Sequence, residues 1–218
     1  MCRIVALATT LVLLSAASAY AAKRIPVCGT QRESNAALLS CAAFKTNASL
    51  MAIADFKSLK KLVLDGRTTA QNFKDSSAKK LASMKEVGER VTWLEMGRNK
   101  KVTPAGWSEL LASFPNLKVF KGTQTVIDDS VLPTLAKMPQ LEEIWLSDSK
   151  VTCSGFKAFA GHDKLKTIRI ENIPECTDAD ASVFIAIPNL KLLMVRGTDF
   201  SEAGVEAINE ELETRVGI

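Results

Sequence analysis

One histidine, one tyrosine and eleven glycines in 218 residues leave little material for several kinds of chemistry. A serine or cysteine nucleophile activated by imidazole, or a histidine-based metal centre, has His162 alone to draw on. No Walker-type loop and no GxGxxG stretch occurs, so a glycine-cradled phosphate site is not expected. Neither sign of charge dominates: 28 bases against 24 acids give a net +4. That balance is too mild to point to nucleic acid or to an anionic membrane. Beyond the first 22 residues no apolar run approaches the roughly 20 residues needed to span a bilayer.

The opening residues have the zones of a secretory signal: Arg3, an uncharged run from Ile4 to Ala17, and Ala19-Tyr20-Ala21 before Ala22. Cleavage is expected after Ala21, and the alternative, an uncleaved anchor, suffers from the shortness of the run. The product then carries 27 bases and 24 acids and is expected to be soluble in the periplasm or outside the cell. Cys2 leaves with the signal. Cys28, Cys41, Cys153 and Cys176 remain, an even number in an exported chain, with three pairings open. The two local bonds, Cys28–Cys41 and Cys153–Cys176, are favoured. A metal site lacks a Cys-x-x-Cys spacing, and no metal or other cofactor is expected.

Self-comparison at about 24 residues aligns six copies of one pattern, an aliphatic residue followed by others three and five positions later. The copies are LKKLVL from Leu59, VTWLEM from Val91, LKVFKG from Leu117, LEEIWL from Leu141, LKTIRI from Leu165 and LKLLMV from Leu190. Their starts are 32, 26, 24, 24 and 25 residues apart. The second half of each unit aligns too. Trp107, Leu132, Phe156, Ala181 and Val205 precede Leu110, Leu135, Phe159, Phe184 and Ile208 by three positions, a helical spacing. Pro115, Pro139 and Pro188 then stand two residues before the next start, where they end a helix and feed a strand.

These stretches, above all LEEIWLSDSKVTCSGFKAFAGHDK and LKLLMVRGTDFSEAGVEAI, resemble leucine-rich repeats of the form LxxLxLxxTxVTDxGLxxLxxLPxL. Such repeats occur in bacterial exported proteins and in cysteine-containing repeat proteins. The resemblance covers about residues 57–210. It implies an α/β solenoid: a right-handed arc with parallel β-strands on the concave face and short helices on the convex face. It leaves function open, because repeats of this kind carry many unrelated binding surfaces.

A strand-plus-helix unit cannot bury its own apolar side, but stacked units share one core and need caps at both ends. We divide the chain into a signal peptide (1–21), an N-terminal cap (22–56), the repeat body (57–206) and a C-terminal cap helix (207–218). The N-terminal cap is read as two helical segments, Ala36–Phe44 and Leu50–Phe56. Thr68–Ala78 is read as a polar loop outside the repeat plan, more an irregular insertion than a ligand loop. In the third unit Gly122 replaces a core aliphatic, with Phe120 beside it to restore volume. Small polar residues eight positions after the starts (Asn99, Thr125, Ser149, Thr198) suit backbone bonding where strand becomes loop. Asn47-Ala48-Ser49 is a glycosylation acceptor only in a eukaryotic source.

Catalysis finds no constellation. His162 falls in the column of Phe114, Met138 and Ile187, which favours a structural role, and Asp128-Asp129 and Asp178/Asp180 sit at helix starts as caps. The alternation of the strands leaves the concave face as the candidate site. Its side chains include Trp93, Glu95, Lys121, Glu143, Trp145, Arg169, Met194 and Arg196. Tryptophan, arginine and methionine are interface-anchoring types, so the expected role is non-catalytic binding of a protein or a glycan. The alternative is a structural, envelope-associated spacer that contacts partners through its convex face or caps.

Overall fold

A computed structural model describes residues 23–27, 30–41, 50–66, 73–212 and 215–217. The signal sequence, Cys28, Asn47 and the Thr68–Asn72 part of the expected loop lie outside the described residues.

The described chain opens with an antiparallel hairpin, β1 (Arg24–Val27) and β2 (Thr30–Glu33), whose Ile25 and Val27 are buried. An eight-stranded parallel sheet follows in strict sequence order. Its strands are β3 (Leu38–Ser40), β4 (Lys61–Val63), β5 (Trp93–Glu95), β6 (Val119–Lys121), β7 (Glu143–Trp145), β8 (Thr167–Arg169), β9 (Leu192–Met194) and β10 (Arg215–Gly217). The six strands expected from the pattern are β4 to β9. In each the central residue is fully buried (Leu62, Leu94, Phe120, Ile144, Ile168, Leu193) and its neighbours are half-buried, as period-two alternation demands.

The return segments are short helices: α1 (Asp75–Ala82), α2 (Lys85–Arg90), α3 (Pro104–Ala112), α4 (Leu132–Ala136), α5 (Ala181–Ile185) and α6 (Glu202–Leu212). Tighter 3-10 turns cover Ala52–Asp55, Asp129–Val131, Ser154–Phe159 and Asp178–Asp180. In α3 the sequence reason is plain. Thr103 accepts a hydrogen bond from the Gly106 N–H, Pro104 takes the first helical position, and Trp107, Leu110 and Leu111 face the core.

Three expectations need correction. Leu38–Ser40, read as part of a helix, is a strand paired with β4, so the N-terminal cap is not wholly helical. Its exposed-buried-exposed order suits a strand, and pairing satisfies β4 backbone groups that helix propensity alone leaves out of account. The closing helix does not run to the terminus: it ends at Leu212, and Arg215–Gly217 adds an eighth strand beside β9. The supposed polar loop is helical from Asp75 onward, with Ser77 and Ala78 buried.

Two local devices recur along the repeat. After the strands, Arg98, Gln124, Asp148, Asn172 and Gly197 all adopt φ between 55° and 72°, one left-handed turn per segment. In three of these segments the small polar residue that follows donates to backbone carbonyls. Asn99 Nδ2 donates to Leu64 O (2.8 Å) and Met96 O (2.9 Å), Thr125 Oγ1 to Gly122 O (2.7 Å) and Thr198 Oγ1 to Val195 O (2.6 Å). The second device is a carboxylate clamp. Asp75 accepts the Thr103 N–H (2.7 Å) and hydroxyl (2.9 Å), Asp129 does the same for Thr152 (2.7 Å each), and Asp178 for Ser201 (2.8 and 2.5 Å). Three residues after each clamped hydroxyl stands Gly106, Gly155 or Gly204, and a Cβ there would collide with the same carboxylate.

Candidate functional site

Opposite the helices the sheet presents side chains in aligned rows, because the strands pair without offset. Lys61, Trp93, Val119, Glu143, Thr167 and Leu192 are successive partners in one row. Val63, Glu95, Lys121, Trp145, Arg169 and Met194 form the next. The sheet therefore brings together the expected residues Trp93, Glu95, Lys121, Glu143, Trp145, Arg169 and Met194, with Arg196 at the loop side of β9.

Within the rows, cations and indoles alternate. Lys61 Nζ lies 3.7 Å from the Trp93 ring centroid, and Lys121 Nζ lies 4.7 Å from Trp93 and 3.1 Å from Trp145. The Arg169 guanidinium carbon stands 4.3 Å from Trp145. One ammonium thus bridges two tryptophans, each contact being worth about 0.5–2 kcal/mol according to its desolvation. Glu143 sits 3.4 Å from Lys121, whose side chain is only 13% exposed. Burial pushes the Lys121 pKa below the usual lysine range, with Glu143 and Glu95 opposing that shift. Both indole N–H groups are buried and find no acceptor among the described residues.

Further along, the buried Glu171 gathers Arg169 (3.3 Å) and Arg196 (3.0 Å). The contact of Arg196 with Oε1 is a charge contact without hydrogen-bond alignment. At the other flank Arg98 binds both Asp65 oxygens, a fork-to-carboxylate match. A cavity of about 220 Å³ opens between these groups, lined by Asp65, Glu95, Gly97, Arg98, Lys121, Thr123 and Trp145. The Glu95 carboxylate on its wall forms no ion pair among the described residues.

The remaining candidates from the sequence have structural partners. His162 Nδ1 accepts the Leu165 N–H (3.2 Å), so the proton assigned by this network is on Nε2, which donates to Met138 O (3.0 Å). Asp128 accepts from Ser130 N–H (3.0 Å), and Asp180 closes a capping box with Thr177 (3.1 Å). Cys153 and Cys176 are disulfide-bonded, with Cα atoms 5.2 Å apart. Cys41 is disulfide-bonded too, while Cys28 lies outside the described residues. Sequence reasoning did not single out Arg98, although its column also holds Gln124, Asp148 and Asn172. It also read Asp129 and Asp178 as caps of their own helices, whereas their oxygens hold the following segment. The signal for that was present: an aspartate, then 23 or 28 residues later a hydroxyl with a glycine three positions on.

No family model matches the sequence, and no curated protein matches it. Among solved structures, a crystal structure of an internalin from Listeria monocytogenes is similar, with a TM-score of 0.53 and 18% identity. The match covers 77% of this chain and 43% of that one, so the chain spans less than half the length of that internalin. At this identity the likeness is one of fold, and the fold is leucine-rich-repeat-like.

Proposed function

We propose that the chain is an exported, non-catalytic leucine-rich-repeat solenoid of about six units that holds a protein partner on its concave face. The observation that carries this reading is the aligned series Lys61, Trp93, Lys121, Trp145, Arg169 beside the cavity at Glu95. Cation–π and ion-pair contacts fix long side chains before any partner arrives, which lowers the ordering cost of association. A glycan is the less suitable ligand. Sugar rings stack on bare aromatic faces, and here cations already lie over both indoles. The cavity offers instead the Glu95 carboxylate, which forms no ion pair among the described residues, to a basic or hydrogen-bonding side chain of a protein.

Export is supported by the signal-like opening and by the Cys153–Cys176 bond, since disulfides persist in oxidising compartments. Among the described residues no helix is long and apolar enough to cross a membrane.

The test is retention of a partner from native extract by immobilised protein. Trp93→Ala with Trp145→Ala is expected to keep the circular dichroism spectrum and to abolish retention. Glu95→Lys is expected to weaken it at least about tenfold, as a like charge in place of a complementary one would. Unchanged retention by both variants would overturn the assignment of this face.

A further inference from the structure

The mild net charge conceals a separation along the chain. Among the described residues, those from 23 to 120 carry 15 bases and 8 acids, whereas those from 121 to 217 carry 10 bases and 15 acids. Strands β3 to β10 lie side by side in sequence order, so the division in sequence is also a division in space. One end of the sheet is basic and the other acidic. At the acidic end α6 carries Glu202, Glu206, Glu210 and Glu211 and no base.

The basic end also bears the exposed large apolar side chains found among the described residues, Leu38 (52% exposed) and Met51 (39%). Leu38 belongs to the terminal strand β3 and is the direct partner of Lys61, and Lys60 N–H donates to Ala37 O next to it. Met51 leads into the Ala52–Asp55 turn, which packs against β1 of the hairpin. In the same N-terminal part of the chain Lys23, Arg24, Arg32 and Lys60 are exposed.

We propose that this end is a peripheral docking surface for an anionic lipid bilayer. The lysines and arginines supply attraction to anionic headgroups, and Leu38 and Met51 enter the boundary between headgroups and acyl chains. A purely polar polyanion would use the bases alone, so the pairing of bases with exposed apolar side chains favours lipid. The acidic end is repelled by the same surface, and the field of the whole molecule therefore orients the sheet. The β3 end faces the bilayer while α6 points away. The inference does not rest on the concave-face reading.

Co-sedimentation with vesicles tests it, using phosphatidylglycerol mixed with phosphatidylcholine against phosphatidylcholine alone. Binding is expected only to the anionic vesicles, and it should fall steeply as salt shortens the screening length. The triple variant Arg24→Glu, Arg32→Glu, Lys60→Glu should lower partitioning at least about tenfold. Leu38→Ser with Met51→Ser should lower it several-fold at every salt concentration, and Glu206→Lys with Glu210→Lys should not lower it. Circular dichroism should be unchanged in all three, and partner retention should be unchanged in the two charge variants. Equal binding to both vesicle types, or none to either, would overturn the proposal. So would binding that is indifferent to Leu38→Ser with Met51→Ser but displaced by heparin, which would identify a polar polyanion site. Salt-sensitive self-association in place of vesicle binding would assign the basic end to a second copy.

Discussion

Gly122 stands where other segments place a core aliphatic side chain, and the Phe120 ring occupies the room it leaves. A Cβ built on Gly122 would come within 2.9 Å of Phe120 and of Ile127. Phe120 in turn meets the Trp107 ring edge-on at 5.9 Å. Phe120→Leu should open a cavity and Gly122→Leu should overpack, each costing on the order of 1–3 kcal/mol in chemical denaturation. The double variant is expected to cost less than the sum, because the two changes share one volume. A second residue-scale prediction concerns Asp178, whose carboxyl is held below the ordinary range by the hydrogen bonds from the Ser201 hydroxyl and backbone N–H. A depressed carboxyl contributes stability that is present above the unfolded value of about 3.9 and is lost as pH falls through the folded value. Asp178→Asn should therefore flatten the acid limb of a stability–pH profile below about pH 4 and leave its slope near neutrality unchanged.

Among elements, the rule for the clamp is set by glycine. Asp75, Asp129 and Asp178 reach across to hydroxyls at 103, 152 and 201, each followed three positions later by glycine. In the next segment after Cys153, the corresponding hydroxyl is Thr177 and the residue three later is Asp180, which accepts the Thr177 N–H itself. No room is left there for a clamping carboxylate, and the Cys153–Cys176 bond links the two segments instead. Replacing both cysteines by serine should lower stability by about 3 kcal/mol, the loop-closure value for a separation of this size, seen as a lower denaturation midpoint. Gly155→Ala should destabilise by about 1–3 kcal/mol through collision with Asp129. The same substitution in an Asp129→Ala background should cost less, because the nearer of its two collision partners, Asp129 and Leu132, is gone. Equal costs in the two backgrounds would dismiss the clamp.

At the scale of the molecule, stability passes from segment to segment along one parallel sheet, so each end carries an edge strand that needs cover or pairing. At the basic end β3 pairs with β4, and the hairpin packs on the Ala52–Asp55 turn. A chain beginning at residue 57 is expected to expose β4 and to aggregate on size-exclusion chromatography, whereas one beginning at residue 22 should elute as a discrete species. The same axis carries the charge separation, which a single net charge averages away.

Much of this was legible in the sequence because it is periodic. Six strands and their register follow from aliphatic spacing, and the rows holding Trp93, Glu95, Lys121, Trp145, Arg169 and Met194 follow from alternation on those strands. The pairing of Cys153 with Cys176 and the volume exchange between Phe120 and Gly122 could be read from column positions. Tertiary structure decided what periodicity does not encode. The end segments Leu38–Ser40 and Arg215–Gly217 became strands because a neighbouring strand offered unpaired backbone groups, a force absent from either segment alone. Likewise Lys121 lies between two tryptophans and Arg98 on Asp65 because side chains from different segments settle only once the sheet has placed them within reach. Sequence determined the repeating frame through local spacing; contacts between distant residues decided its ends and the arrangement of its exposed face.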